Sequence, residues 1–329
     1  MLSVTVETVF KWTDRLTRQA SSNALTQEML VVCQELTLIA DIYAYEIYKR
    51  EKIKLAEDHY SHQWVGQRLP IDFSQENRED EYSDILEKII ETELLQAIQF
   101  DSHNFYILNI KVPIGPRRAI LIKGLLQDEV IANLKSILAI YTNLMVLHDQ
   151  KERDLLTSLP NRQSFDSCLM EVCEYFQTDN YIENKQSWIA MLDIDHFKRV
   201  NDDFGHLYGD EVLLHFSQII EKSFRYNDFY FRFGGEEFVV IVNLVDIKSA
   251  KAIFERFRSK VENFNFPTVG RVTVSIGVTE IEHHALPMNL LDHADQALYH
   301  GKDTGRNKVV FFQDMDVKDD IESDDIELF

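Results

Sequence analysis

At 329 residues, with 45% hydrophobic and 11% aromatic content, the chain is long enough for two globular domains and apolar enough to bury a core in each. Its formal net charge of −21 excludes a non-specific grip on DNA, RNA or an anionic membrane, all of which need a positive field. A nucleotide held locally through a metal and a few Lys or Arg side chains is compatible with that charge.

Cys33, Cys168 and Cys173 form an odd set without C-x-x-C spacing, which suits reduced thiols in a cytoplasmic protein. Residues 1–10 carry Glu7 and no basic stretch, so they do not read as a secretory signal. The most apolar helix expected, over 131–147, is broken by Asn133, Lys135, Ser136 and Asn143, and reads as too polar to span a bilayer.

Residues 24–40 place Leu25, Met29, Val32, Leu36 and Ile39 at helical spacing. Residues 41–50 alternate as a strand does, with Ile42, Ala44 and Glu46 opposed to Tyr43, Tyr45 and Ile47. Residues 59–81, with Gly66, Pro70 and many charges, read as loops. Residues 83–100 return to the helical period through Ile85, Leu86, Ile89, Ile90, Leu94 and Ile98. A strand over 104–112, a turn at Pro113-Ile114-Gly115-Pro116 and a strand over 118–123 follow. In the order of its elements, and in the strand-turn-strand around Pro113, this α+β stretch resembles a GAF domain. A PAS-like or unrelated α+β module is the alternative. Tyr43, Tyr45, Tyr48, His59, His62, Trp64 and His103 could line a pocket for a small molecule, but core aromatics and surface histidines are the better reading.

From Asp128 a long helix sets Leu134, Leu138, Tyr141, Met145, His148 and Leu155 near alternating steps of four and three, with Glu152 the polar exception. The pattern fits a coiled-coil seam that dimerises the chain, or one amphipathic helix packed on its own domain. Its place between two domains favours the dimerising connector.

Beyond it, residues 163–176 read as a helix and 187–193 as a buried strand ending in Asp193-Ile194-Asp195. Acids at i and i+2 of a strand point the same way, and burying them is costly unless a cation or hydrogen bonds satisfy them. Phe229, Phe231 and Phe233 alternate with Tyr230 and Arg232, and Gly234-Gly235-Glu236-Glu237 leads into Phe238-Val239-Val240-Ile241-Val242. This predicts a β-hairpin with its tight turn at Gly234-Gly235, where glycine takes positive φ without steric cost. A tip that is bare and then acidic suits a polyphosphate held through a divalent cation.

Several short motifs occur in a fixed order: Asp154-x-Leu-Thr-x-Leu-Pro-Asn-Arg162, Asp193-Ile-Asp-His-Phe-Lys198, Asn201-Asp202, Phe204-Gly-His206 and Gly209-Asp-Glu211. Arg232-Phe-Gly-Gly-Glu-Glu-Phe238, Val274-Ser-Ile-Gly277, Ala294-Asp-x-Ala-Leu-Tyr299, Lys302 and Gly305-Arg-Asn307 complete them. Together they resemble a GGDEF domain, the diguanylate cyclase family. The resemblance implies a palm-like α/β domain with a mainly antiparallel central sheet, and condensation of two GTP into cyclic di-GMP and pyrophosphate. It implies Mg²⁺ (or Mn²⁺) held by Asp193, the backbone carbonyl of Ile194 and Glu236, with Glu237 near a second metal or acting as base. Asn201 and Asp210 would hydrogen-bond guanine, the acid selecting GTP over ATP. Lys198, Lys302 and Arg306 would face phosphates, Phe197 would adjoin the nucleotide, and Gly234 and Gly235 would let it approach. Arg225 and Asp228 stand at the spacing of the family's inhibitory product site. Departures are Glu236 where Asp names the family, Phe233 for Tyr and Ser158 for Gly; none removes a ligand.

The expected organisation is a regulatory domain over 1–127, a connector over 128–156, the catalytic domain over 157–313 and an acidic, disordered tail over 314–329. A homodimer is expected because each domain would hold one GTP. A silent cyclic di-GMP receptor and a dimeric signalling scaffold are the rival readings.

Overall fold

The computed structural model describes residues 5–37, 41–49, 64–69, 81–89, 95–113, 115–177, 185–225, 227–282 and 286–315. His59, His62 and most of the acidic tail lie outside them. The chain divides into two units, Met1–Phe165 with Phe224–Asn227, and Asp166–Ser223 with Asp228–Phe329.

The first unit holds α1 (Val6–Thr17), α2 (Ser22–Thr37), β1 (Asp41–Lys49), β2 (Trp64–Leu69), α3 (Ser83–Ile89), β3 (Leu95–Phe100), β4 (His103–Ile110), β5 (Arg117–Lys123) and α4 (Asp128–Glu152). The strands form one sheet in the order β2-β1-β5-β4-β3, antiparallel throughout. Alternation along the central strands builds a core on each face. Tyr106, Leu108, Ile120 and Ile122 pack with Leu25, Met29, Leu134 and Leu138, whereas Phe105, Ile107 and Leu121 pack with Tyr82, Ile85 and Leu86.

Four expectations change here. The loops expected over 59–81 include the strand β2, which pairs along β1 from Ala44↔Leu69 to Lys49↔Trp64. The helix expected over 83–100 stops within α3, and its second half is β3, turned back onto β4. Asp101 and Ser102, at φ 45° and 64°, make the two-residue turn; such a turn needs positive φ at both centres, and Asp-Ser is a weak signal for it. Finally, of the expected coiled-coil seam, Leu134, Leu138, Tyr141 and Met145 are buried in the core of their own unit, whereas Leu155 lies past the end of α4 and is exposed. By length and composition α4 is apolar enough to cross a membrane, contrary to the expectation from its polar interruptions, but this stripe is spent on the sheet.

α5 (Arg162–Gln177) leads into the second unit, which contains β6 (Gln186–Ile194), α6 (Phe197–Phe204), α7 (His206–Glu221), β7 (Phe229–Gly234), β8 (Glu237–Val245), α8 (Ile247–Glu262), the short β9 (Asn265–Phe266) and β10 (Gly270–Arg271), β11 (Val274–Ile281), α9 (Pro287–Asp303) and β12 (Val309–Phe311). Its main sheet runs β12-β11-β6-β8-β7, with only β11 and β12 parallel. Every residue of β6 after Gln186 is buried, as expected of a central strand. Phe216 of α7 packs on Phe238 of β8 and Phe257 of α8, with ring centroids 4.8 and 5.8 Å apart.

α9 lies against β11 with almost no space between backbones. A Cβ on Gly277 would come within 2.1 Å of the Ala294 carbonyl oxygen and of the Leu298 nitrogen. Backbone cannot swing aside as a side-chain end can. Gly277→Ala is therefore expected to cost about 2–3 kcal/mol by overpacking. Thermal unfolding checks this: an unchanged Tm would mean that α9 rides off the sheet freely.

Candidate active site

β6 is the middle strand, so its end is where three strands meet. Register sets Asp193 opposite Glu237 of β8 on one side and Ser275 of β11 on the other. The neighbouring β7–β8 hairpin has Gly234 opposite Glu237, so its turn is Gly235-Glu236 and not the expected Gly234-Gly235. Its register shifts between Arg232 and Gly234, a bulge that slides the turn along by one residue. Neither glycine takes positive φ. Their contribution is space: a Cβ on Gly235 would meet nothing within 4 Å, and one on Gly234 would crowd Oε2 of Glu237 at 3.1 Å. Arg232 fastens the turn, donating from Nε and Nη2 to the Gly235 carbonyl at 3.1 and 2.8 Å.

The two acids at the end of β6 are satisfied in different ways. Asp193 is 7% exposed, and its Oδ2 lies 2.7 Å from Nζ of Lys302 on α9. Burial pushes its carboxyl above the ordinary range; Lys302 opposes that, and the charges of Glu236 and Glu237 add to it. Those influences bring Asp193, Glu236, Glu237 and Lys302 into one electrostatic neighbourhood. The backbone joins in, since the Ile194 N–H approaches the Glu236 carbonyl at 3.4 Å.

Asp195 is instead a structural anchor, satisfied by hydrogen bonds, the second of the two ways open to a buried acid at this spacing. It accepts from Thr273 Oγ1 at 2.7 Å, Ser275 Oγ at 2.6 Å and the Asn307 N–H at 3.0 Å. Asn307 ends a turn in which Gly305, Arg306 and Asn307 all have left-handed φ, at 116°, 62° and 49°. Its amide donates to Glu262 at 2.9 Å and accepts from Arg258 at 2.7 Å. Arg306 is thus exposed on a strained turn clamped on both sides. Val274-Ser-Ile-Gly277 and Gly305-Arg-Asn307 were visible as motifs, but their common partner Asp195 was not.

A second group forms on α6 and α7. A Cβ on Gly209 would fall 1.9 Å from Oδ1 of Asn201 and 3.3 Å from Cζ of Phe197. The missing side chain is what lets Asn201 lie against α7. Phe197 is buried below it, while Lys198 and Asp210 are exposed. Gly209→Ala should displace the Asn201 carboxamide with little loss of stability, because a side-chain end can rotate away. If Asn201 holds a base edge, KM for GTP rises about tenfold, the size of one lost hydrogen bond, with kcat retained. An unaltered KM would take Asn201 out of binding.

Arg225 is exposed and Asp228 is buried, with Oδ1 of Asp228 accepting from the Asn243 N–H at 3.1 Å. One member of the expected product-site pair is therefore tied to the β8 backbone.

The donors at the end of β6 fit Mg²⁺. They are hard oxygens, the carboxylates of Asp193 and Glu236 and the peptide oxygen of Ile194, where buried negative charge lacks full compensation. Among the described residues, no group of three or more His, Cys, Asp or Glu side chains makes a self-contained metal cage. An ion that completes its shell with phosphate oxygens does not need one.

The family described as "Diguanylate cyclase, GGDEF domain" matches residues 151–308. The chain is similar to diguanylate cyclase DgcP of Pseudomonas aeruginosa, 38% identical over 169 residues, covering 50% of this chain and 25% of that protein. It is similar to the probable diguanylate cyclase DgcT of Escherichia coli, 40% identical over 177 residues, covering 52% and 38%. The coiled coil and GGDEF domain of DgcB from Caulobacter crescentus, solved in complex with c-di-GMP, superposes with a TM-score of 0.50 at 28% identity, covering 56% of this chain and 97% of that one. The chain thus spans well under half the length of these two curated relatives. The ordered motifs, the β6-centred sheet and the family match agree, and the chain carries a GGDEF domain over residues 151–308.

Proposed function

We propose that the protein is a diguanylate cyclase, joining two GTP into cyclic di-GMP with release of two pyrophosphates. The observation that carries this reading is the end of β6, where Asp193 meets Lys302 at 2.7 Å beside Glu236, Glu237 and a bare glycine turn. In each round the 3′-hydroxyl of one GTP attacks the α-phosphorus of the other, forming a P–O bond as the bond to pyrophosphate breaks. Mg²⁺, where bound, would supply charge neutralisation for the entering and leaving oxygens.

The chain's own residues position and neutralise. Asp193, the Ile194 carbonyl and Glu236 would hold the ion; Glu237, opposite Asp193, would either take the hydroxyl proton or support a second ion. Lys302 and Arg306 bind the triphosphate from the end of α9, and Lys198 does so from α6. Asn201 and Asp210 take the guanine edge, and the exposed carboxylate of Asp210 accepts from N1–H and N2–H, a pair that adenine lacks. Gly235 keeps the hairpin tip open to the nucleotide.

Each domain would present one nucleotide, so two copies must face each other. The first unit is read as a GAF-like regulatory module that takes a small molecule or protein as its signal, its two-faced five-stranded sheet being what supports this. Arg225 and Asp228 are read as a product-inhibition site, with the guanidinium doing most of the recognition because Asp228 is partly committed to Asn243.

Purified full-length chain incubated with GTP and Mg²⁺ tests the reading. Pyrophosphate together with a cyclic dinucleotide supports it; cyclic di-GMP binding without turnover replaces it with a receptor.

A further inference from the structure

Lys302 lies in the last turn of α9, and its Nζ sits 2.7 Å from Oδ2 of Asp193. The two side chains are 32% and 11% exposed, so the contact is partly withdrawn from water. The carboxylate engaged is the one that the proposed chemistry needs for a divalent ion. An ammonium has three donors and no lone pair, so it cannot join a metal's ligand shell. A divalent ion on the same oxygen would repel it at contact distance. Lys302 and the ion therefore compete for Asp193.

We propose that Lys302 is a placeholder cation: in the nucleotide-free protein it holds the position on Asp193 that the divalent ion takes over, and it leaves for phosphate when the nucleotide arrives. This rests on the diguanylate cyclase reading for the identity of the nucleotide, but not for the competition itself.

Three features support the exchange. Asp193 is crowded by the negative charges of Glu236 and Glu237, so an empty site without an internal cation would be strongly repulsive. Lys302 has a flexible four-carbon stem, and a triphosphate offers it a charge-assisted contact that offsets the broken ion pair. The helix under it does not have to move, because α9 is seated on β11 at Gly277 without slack. The swap is then a side-chain event. Its consequence is that metal binds weakly to the empty site and loads together with the triphosphate.

The test is Mn²⁺ binding to the nucleotide-free full chain, read by electron paramagnetic resonance of free Mn²⁺, so that no turnover is involved. Lys302→Gln removes the charge at similar length. It is expected to tighten Mn²⁺ binding by about tenfold, as when one unit charge is removed at contact distance from a partly solvated site. Lys302→Arg keeps a cation on Asp193 and should bind Mn²⁺ as the unaltered chain does. Adding Asp193→Asn to Lys302→Gln should abolish the gain. Equal or weaker Mn²⁺ binding by a folded Lys302→Gln protein, or a gain that survives Asp193→Asn, would overturn the proposal. Failure of the cyclase reading would appear elsewhere, as absent turnover of GTP by the unaltered chain, whatever the Mn²⁺ result.

Discussion

On the diguanylate cyclase reading, Asp193→Asn is expected to lower kcat by about a thousandfold or more while leaving the protein folded, because it would remove a charge that the proposed chemistry needs and folding does not. The substitution keeps the shape of the side chain and an oxygen for Lys302. It deletes a buried negative charge that sits beside Glu236 and Glu237 and is already pushed toward its neutral form by burial and by those neighbours. Folding therefore loses little and gains relief from like-charge repulsion, so Tm should hold or rise. Opposite movement of activity and stability is the signature of a residue kept for function. The check is a pair of measurements on one sample: cyclic dinucleotide formation, and a thermal melt of the full chain. More than a tenth of the original kcat would remove Asp193 from the chemistry. A large fall in Tm would instead make it an ordinary structural partner of Lys302.

How far this site could be read in the sequence depends on whether its partners are close along the chain. The strand ending in Asp193 was legible because β6 is buried on both faces and therefore apolar throughout. The β7–β8 hairpin is legible from alternating aromatics followed by a β-branched run, but its turn falls one residue later than the glycine pair indicates. A bulge depends on cross-strand register, which nothing local in Phe233-Gly234-Gly235 reveals. The Asp195 clamp was hidden for a similar reason: its donors, Thr273, Ser275 and Asn307, come from 78, 80 and 112 residues away.

In the first unit the same limit appears as ambiguity of period. Leu94 and Ile98 continue a helical spacing, yet β3 gains more by pairing with β4 across the Asp101-Ser102 turn. Likewise the stripe Leu134, Leu138, Tyr141 and Met145 has the spacing of a seam, and only the position of the sheet decides that it faces its own domain. Patterns reported which face of an element is apolar; they could not report what would cover it.

Arg118→Ala is expected to destabilise the first unit by about 3–5 kcal/mol, the cost of leaving the buried Asp149 and the half-buried Glu46 without their main cation. Arg118 on β5 is 4% exposed and donates from Nη1 and Nη2 to the two carboxylate oxygens of Asp149 on α4, at 2.7 and 2.9 Å. Its Nε donates to Glu46 of β1 at 2.9 Å. One guanidinium thus ties two strands to the long helix near that helix's C-terminal end. Burial pushes the Glu46 carboxyl up, but Arg118, the Tyr48 hydroxyl and Arg153 pull it down further, so it titrates below its ordinary value. A depressed carboxyl adds stability that is complete above its unfolded pKa and is lost as pH falls through the folded one. With Arg118 gone, burial acts on Glu46 with its main counter-charge removed. The penalty of Arg118→Ala should then be greatest near neutrality and shrink on acidification, as the Glu46 carboxyl, raised by burial once Arg118 is gone, takes up a proton. Urea denaturation of both proteins at several pH values measures this directly. A penalty that does not change with pH would mean that the guanidinium stabilises the unit by packing and not by charge. Replacing Arg118, Asp149 and Glu46 together by apolar residues of similar volume should recover most of the loss, since the triad itself need not be worth more than a well-packed core.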